Sequence, residues 1–228
     1  GGLCTGVSTL AKLLNPKIKV IAVEPTGAAC LKASLEAGEV TTVSKINTIA
    51  DGTAVQTPGD KLFPYLQANV DQVITVDDSE LTLSFLDMAE NHKMIVENSG
   101  LLTVAALKHL DFKGKKVVSV LSGGNMDVLT MATVVQNGLM QRDRIFTVSV
   151  MLPDKPGQLA AVSALIAKEQ GNVIKLEHNV FANVNRTAGV ELTITLESFG
   201  TEHKDQIIKA LETAGYCPVI SKTSGIYM

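Results

Sequence analysis

Residues 115–127 read Lys-Lys-Val-Val-Ser-Val-Leu-Ser-Gly-Gly-Asn-Met-Asp, an apolar β-branched run that ends abruptly in Ser-Gly-Gly-Asn. Valine packs well on a pleated surface and only Ser119 interrupts the run, so we predict a buried strand over residues 117–121. Ser122 then lies at the carboxyl end of this strand, where open α/β sheets bind ligands. The two glycines allow the backbone to approach a ligand closely, although they also suit an ordinary strand-to-helix turn.

Strands and helices alternate around this stretch up to about residue 140. Buried strands are predicted at residues 19–24 and 72–76 and a brief one at residues 94–96, each followed by a helical pattern. This alternation favours a parallel sheet covered on both faces. The chain opens with Gly1 and Gly2 and passes directly into a helical pattern. A glycine loop at a helix N-terminus binds anions and normally follows a strand, so we expect a fragment that begins inside such a loop.

The pattern changes at residues 141–144, where the order β-α-β-β-α-β begins. We therefore predict two domains, residues 1–141 and residues 142–228. The predicted elements of the second domain are a strand at 145–152, a helix at 158–169, a strand at 173–181, a hairpin turn at 183–186, a strand at 189–197, a helix at 202–214 and an edge strand at 218–220.

The composition of the 228 residues excludes several classes of protein. The hydrophobic fraction of 46% predicts a substantial core, and the net charge of −3 gives no reason to expect nucleic acid or an anionic membrane as a partner. No apolar run approaches the length of a membrane span. The three cysteines fit neither a zinc spacing nor a disulfide framework, which favours a reducing, cytoplasmic setting.

Four motifs carry a resemblance over residues 1–140. They are Gly1-Gly2-Leu3, Val-Glu-Pro at 23–25, Thr-Ile-Ala-Asp-Gly at 48–52, and Leu-Ser-Gly-Gly-Asn at 121–125. In order and spacing they resemble the pyridoxal-phosphate enzymes of the threonine dehydratase and serine racemase family. Residues 154–159 and 172–174 resemble an ACT domain, as in medium-length threonine dehydratases. The resemblance implies an α/β fold, the parallel-sheet half of a fold-type II (tryptophan synthase β-like) domain, followed by a ferredoxin-like βαββαβ ACT domain.

The resemblance also implies roles for individual residues toward pyridoxal 5'-phosphate. The backbone N–H groups of Gly1, Gly2 and Leu3 would hold the phosphate. Ser122 would hydrogen-bond the pyridine nitrogen, with Gly123 beside it, and Gly52 would let its loop pass close to the ring. Glu97 would either face the substrate or cap the helix that follows it.

The Schiff-base lysine of this family lies in a Ser-x-Lys-x-Arg-Gly motif, and the chain has no match for it. We therefore expect no catalytic residue of that kind here and no dehydratase activity from this chain alone. The missing N-terminal segment would be a partner as a separate polypeptide. One alternative is a non-catalytic regulatory protein that binds amino acids on the same scaffold, and another is an enzyme that acts on L-serine.

Serine racemase-like members bind a cation through a glutamate, a backbone carbonyl and an aspartate. Glu24 and Ala28 match the first two positions, but Cys30 stands where the aspartate would be. Hard cations prefer oxygen ligands, so we predict no metal site. An alternative role for Glu24 is to accept hydrogen bonds from nearby backbone N–H groups.

For the second domain the resemblance implies a free amino acid bound across the interface of a homo-oligomer, a dimer or a tetramer. Isoleucine is the first candidate and valine the second. Asp154 and Asn172 are expected to lie near each other. Pro156-Gly157 and Gly171-Asn172 also suit ordinary turns without a ligand. In that case the second domain would serve only as an oligomerisation module. The implied effector-binding residues are Asp154, Gly157, Gln158, Asn172, Val173 and Ile174.

Overall fold

The computed structural model describes residues 1–179 and 189–221. The chain divides into two compact units, Gly1–Val134 and Val135–Met228, and each has its own sheet. The division falls within a helix, whereas the sequence predicts a boundary after residue 141, where that helix ends. No helix in the described ranges has both the length and the apolar composition needed to cross a membrane.

The first unit contains a two-stranded parallel sheet between helices. Its strands pair in parallel with Ile21 opposite Gln72 and Pro25 opposite Val76, which confirms the predicted parallel pairing. The strands are β1 (Ile21–Pro25) and β2 (Gln72–Val76), and the helices are α1 (Gly2–Leu14), α2 (Cys30–Ala37), α3 (Phe63–Asn69), α4 (Asp78–Asp87) and α5 (Leu102–Ala105). Helix α6 (Val128–Gln141) contains the division between the two units.

Helix α4 begins where its sequence indicates. The side chain of Asp77 accepts a hydrogen bond from the backbone of Glu80, and the Glu80 carboxylate accepts one from the Asp77 N–H at 2.9 Å. This capping box satisfies two N–H groups that the helix leaves unpaired, so α4 starts directly after β2.

The strand predicted over residues 117–121 is wrong, and so is the brief one at residues 94–96. Neither segment is part of a sheet, and Val118 is 87% exposed. A strand needs a hydrogen-bonded neighbour, and the described residues provide no ladder partner here. The run is held instead by Thr103, whose hydroxyl donates to the Val120 carbonyl at 3.1 Å and whose carbonyl accepts from the Ser119 hydroxyl at 3.3 Å.

The second unit has the predicted element order β-α-β-β-α-β. Its sheet order is β4-β5-β3-β6, and every adjacent pair is antiparallel. The predicted hairpin turn at residues 183–186 lies outside the described residues, as does the end of the strand before it. The elements are β3 (Ile145–Leu152), α7 (Gln158–Lys168), β4 (Asn172–Asn179), β5 (Val190–Glu197), α8 (Thr201–Thr213) and β6 (Val219–Ser221).

Alternate residues of β3 and β5 form the core of this unit. Side chains in a strand point to opposite faces in turn, so one face of the sheet is apolar and packs beneath α7 and α8. The other face carries hydroxyls that pair across strands, with Thr147 and Thr195 at 3.0 Å. The buried cluster consists of Phe146, Val148, Val150, Leu152, Val162, Ile166, Leu192, Ile194, Leu196, Ile207 and Leu211.

Candidate functional site

Glu97 is the point at which separate loops of the first unit meet. Its backbone N–H donates to the Gly123 carbonyl at 3.3 Å, and its Oε2 accepts from the Asn125 N–H at 3.2 Å. Its carbonyl accepts from the Gly100 N–H at 2.9 Å. Glu97 thus ties the loop of residues 122–125 to the turn that begins α5, using both its main chain and its carboxylate.

These loops approach each other closely at two glycines, and at one of them, Gly123, the backbone itself requires glycine. Gly123 has φ +86, and a Cβ built on it would lie 2.2 Å from Glu97 Cδ. A Cβ on Gly52 would lie 2.9 Å from the Ser99 hydroxyl, which accepts the Gly52 N–H at 2.8 Å. The structure therefore brings Gly52, Gly123 and Glu97 together.

Ser122 keeps an unused hydroxyl beside this cluster. The residue is half-buried, and its Oγ has no hydrogen-bond partner among the described residues. Its carbonyl is in close contact with Gly100, where an added Cβ would come within 1.8 Å of the oxygen. A hydroxyl held in this way is available to a polar atom of a bound molecule.

The N-terminal glycines form a separate feature. Gly1 is the N-cap of α1 and provides no side chain to satisfy the N–H groups of Gly2 and Leu3, which are exposed. The Thr5 hydroxyl, in the same turn, is buried without a partner. N–H groups at a helix start can bind an anion. No hydrogen bond in the described part of the chain joins these glycines to Ser122.

Glu24 caps helix α2. Its Oε1 accepts from the Leu31 N–H and its Oε2 from the Lys32 N–H, both at 2.8 Å, and the Cys30 thiol lies 3.8 Å from Oε1. Burial raises the pKa of Glu24 despite these donors. The alternative role of Glu24, as an acceptor for nearby N–H groups, is confirmed. The described residues contain no cluster of three His, Cys, Asp or Glu side chains that could hold a metal ion.

The expectation that Asp154 and Asn172 lie near each other is wrong within one chain. Asp154 follows the end of β3, whereas Asn172 starts β4 and pairs with Glu197, opposite the first residue of β3. Strands β3 and β4 both run antiparallel to β5 and hence in the same direction. The end of one and the start of the other are therefore about 24 Å apart along the sheet, at roughly 3.4 Å per residue.

The other candidate effector-binding residues also lie at one or the other end of the sheet. Gly157 has φ +90 and is the N-cap of α7, with Gln158 as the first residue of that helix, at the Asp154 end. Val173 and Ile174 are exposed on the edge strand β4, at the Asn172 end. The amide of Asn172 donates to Glu197 at 3.1 Å.

Sequence reasoning missed three residues that shape the Glu97 cluster. Asp78 and Asn98 bind the loop that carries Gly52, and Ser99 accepts the Gly52 N–H. Asp78 follows the N-cap Asp77, and the local sequence pattern therefore indicated only that it belongs to the start of a helix. Its partners lie about thirty residues away in sequence, and no local pattern indicates them.

Known proteins resemble the chain closely. The profile of the pyridoxal-phosphate dependent enzyme family matches residues 1–123. An L-threonine ammonia-lyase of Geobacter sulfurreducens is 36% identical over 219 residues, covering 95% of this chain and 54% of that protein. The chain spans about half the length of the curated relatives it matches.

Two solved structures resemble part of the fold. The processed form of threonine deaminase isoform 2 from Solanum lycopersicum superposes with a TM-score of 0.56 and 31% identity, covering 60% of this chain and 41% of that one. Maize serine racemase gives a TM-score of 0.54 and 37% identity, covering 58% and 44% of the two chains. With the cluster of glycines, Glu97 and Ser122 in the matched region, the chain belongs to the family of pyridoxal-phosphate dependent enzymes.

Proposed function

We propose that residues 1–141 are the C-terminal part of the catalytic domain of a threonine dehydratase, which converts L-threonine to 2-oxobutanoate and ammonia. The observation that carries the proposal is the unpartnered, half-buried hydroxyl of Ser122, beside a position at which only glycine fits. The relatives named L-threonine ammonia-lyase support the same reaction.

The residues present fit the ring of pyridoxal phosphate. The bound cofactor withdraws electrons from the α-carbon of the substrate and so supports loss of the β-hydroxyl group. The Ser122 hydroxyl would hydrogen-bond the ring nitrogen, and because the hydroxyl is neutral it leaves that nitrogen largely unprotonated. Gly52 and Gly123 let their loops approach Ser99 and Glu97 closely beside the proposed place of the ring. Glu97 orders the Ser122 loop and would face the substrate.

The start of α1 fits the phosphate. The N–H groups of Gly1, Gly2 and Leu3 have no side-chain acceptor, and the buried Thr5 hydroxyl lacks a partner. A phosphate would supply acceptors to both kinds of group and would be favoured by the positive end of the helix dipole.

The lysine that binds the cofactor in this family would come from outside residues 1–228, since they contain no Ser-x-Lys-x-Arg-Gly motif. On this proposal, the chain alone with added pyridoxal phosphate forms no 2-oxobutanoate from threonine. A ketoacid assay tests this directly, and product formed by the chain alone would contradict it.

A fusion tests the positive half of the proposal. The part of the Geobacter sulfurreducens relative that precedes its matched segment is joined to residues 1–228, and 2-oxobutanoate is measured with threonine. Ser122→Ala should lower kcat/KM about tenfold or more, because losing a hydrogen bond at a buried partner costs about 1–3 kcal/mol. The matched control is Ser119→Ala, since Ser119 is already bonded to the Thr103 carbonyl.

The outcomes separate the alternatives. An active fusion that is insensitive to Ser122→Ala contradicts the assigned role. Faster turnover of L-serine than of threonine favours a serine dehydratase or racemase. An inactive fusion that still binds a branched-chain amino acid favours the non-catalytic regulatory protein.

For residues 142–228 we propose an ACT-like regulatory domain that binds isoleucine or valine. The βαββαβ order and the left-handed Gly157 at the start of α7 support it. Because Asp154 and Asn172 lie at opposite ends of the sheet, a site that uses both must combine Asp154 of one chain with Asn172 of a second copy. The proposal therefore includes a homo-oligomer with two-fold symmetry.

Mixing variants tests this shared site by calorimetry with isoleucine and then valine. Asp154→Ala and Asn172→Ala should each abolish the binding heat, whereas their mixed dimer keeps one intact site of two and regains binding. Val219→Ala, on the other edge strand, is the control and should bind as the unchanged chain does. Absence of binding by every form would leave an oligomerisation module.

A further inference from the structure

The loop that carries Gly52 is held by a carboxylate of another element. Asp78, the first residue of α4, accepts the Thr48 hydroxyl on Oδ1 at 2.6 Å and the Ile49 N–H on Oδ2 at 3.0 Å. The Thr48 oxygen in turn accepts the Ala50 N–H at 3.1 Å. Hydrogen bonds to an ionised acceptor are stronger than neutral ones, so both oxygens of Asp78 fix this loop.

A second side chain binds the main chain of the same residue, Ile49, at the peptide group that follows it. Asn98 is 5% exposed, and its Nδ2 donates to the Ile49 carbonyl at 3.0 Å. The Ile49 main chain is therefore bonded through its N–H by Asp78 and through its carbonyl by Asn98. The next residue, Ala50, is completely buried, so the loop is anchored by packing at the same point.

These contacts lie next to the candidate site in sequence. Two residues after Ala50, the Gly52 N–H bonds to Ser99, which immediately follows Asn98. Asp78 is itself held firmly, since the capping box of Asp77 fixes the start of α4 and the Thr82 hydroxyl donates to the Asp78 carbonyl at 3.0 Å. The position of Gly52 thus depends on α4 and on the turn after Glu97.

We propose that Asp78 and Asn98 are positioning residues that hold the Gly52 loop in place before any ligand binds. Preordering removes the entropy cost of fixing the loop from the binding step. The inference rests on the proposed function only in that the loop then serves a bound pyridoxal phosphate. Neither residue touches the cofactor in this role, and both act through the backbone of residues 49–52.

Neighbouring aspartates provide a matched pair of variants. Asp78→Asn in the full chain replaces one of the two accepting oxygens by an NH2 group. The Thr48 hydroxyl and the Ile49 N–H then share a single acceptor. Amide hydrogen exchange in the segment of residues 48–53 should accelerate about tenfold to hundredfold. Asp77→Asn is the control, since asparagine caps helices as well as aspartate and exchange in this segment should not change. Equal exchange in the two variants would overturn the inference.

Pyridoxal phosphate binding by the same proteins separates this inference from the proposed function. If the unchanged chain binds and Asp78→Asn weakens binding about tenfold or more while Asp77→Asn does not, the inference is supported. If the unchanged chain does not bind, since the cofactor-binding lysine lies outside it, but Asp78→Asn still loosens the loop, the positioning role is supported and the proposed function is decided by the fusion assay alone. Unchanged exchange and unchanged affinity in Asp78→Asn would overturn the positioning role.

A milder variant covers the case in which Asp78→Asn does not fold. Thr48→Val keeps the shape of the side chain but removes the donor to Asp78 and the acceptor of the Ala50 N–H. Exchange in residues 48–53 should again accelerate, by less than for Asp78→Asn. Exchange in β5, in the other unit, should stay unchanged, and failure of the loop to respond would overturn the inference.

Discussion

The two units of the chain differ in whether their elements cover their own apolar side chains. In the second unit, Val148, Leu192 and Ile194 are fully buried beneath α7 and α8. In the first, Leu13 of α1 is 78% exposed, and Val118 is exposed even more. An antiparallel sheet with helices on one face closes a core by itself, whereas parallel strands are stable when both faces and their neighbours are covered. The difference is one of degree, since the first unit also buries Leu66 and Phe85, and Phe199 of the second is 80% exposed. The sheet of the second unit covers its apolar face, whereas the first unit presents more exposed apolar side chains.

The largest expected effect comes from truncating one leucine in each unit. Leu192→Ala should lower the free energy of unfolding of the second unit by about 2–5 kcal/mol, because it leaves a cavity in a closed core. Leu13→Ala should change that of the first unit by less than about 0.5 kcal/mol, because the side chain is already exposed. Urea unfolding followed by circular dichroism, with hydrogen exchange in β5 to identify the second unit, measures both. A similar loss of unfolding free energy in the two variants would mean that α1 is covered, and it would contradict the difference between the two units.

Two adjacent glycines give an intermediate effect and test how well ordered the first unit is. Gly123→Ala should cost about 1–3 kcal/mol of stability in the first unit, because its backbone is left-handed and its Cβ would meet Glu97. Gly124→Ala is the control, since an added Cβ there has nothing within 4 Å. The free energy of unfolding of the first unit, measured by hydrogen exchange, should drop only for Gly123→Ala. Equal behaviour would show that this loop is not fixed by Glu97.

The smallest expected effect is a difference in pH dependence. Burial raises the pKa of Glu24 above its ordinary value in the folded first unit. The folded state then holds this proton more tightly than the unfolded chain, so the contribution of Glu24 to stability falls as pH rises from the ordinary carboxyl pKa through the raised one. Glu24→Gln should remove that slope from the unfolding free energy of the first unit.

Asp143 should give the opposite slope in the second unit. Burial by itself raises the pKa of Asp143, but the Lys204 ammonium at 2.8 Å and the Thr201 hydroxyl together lower it below the ordinary value. Its contribution is present above the ordinary pKa and is lost as pH falls through the lowered one. Asp143→Asn should abolish the loss. Unfolding measured unit by unit across the acid range, with slopes of the same sign in both units, would contradict the assignment.

Short-range features of the fold could be predicted from the sequence. The capping box of Asp77 and Glu80, the strand segments β1 and β2 and the alternation of β5 are confirmed, because each depends on neighbours a few residues apart. Whether residues 117–121 form a strand could not be predicted from such short-range features. Their apolar pattern suits a sheet, but a strand forms only where another segment offers hydrogen bonds beside it.

Only part of the candidate site was predicted from the sequence, again because long-range contacts leave no local pattern. Motif order pointed to Gly52, Glu97 and Ser122, and the structure brings Gly52 and the Ser122 loop to Glu97. The motifs did not reveal Asp78 or Asn98, whose partners are 29 and 49 residues away. Contacts of that range leave no periodic or local signal, so only the fold shows them.

The sequence by itself indicated the family through the order of its motifs. It also determined the βαββαβ order of the second unit and the glycines at which a loop must turn, because these follow from local backbone preferences and side-chain alternation. Only the tertiary structure decided that Glu24 caps α2, that Asp78 and Asn98 hold the Gly52 loop, and that Asp154 and Asn172 lie at opposite ends of one sheet. The physical reason is that strand direction and long-range hydrogen bonds depend on how distant segments pack, and no stretch of sequence contains that information alone.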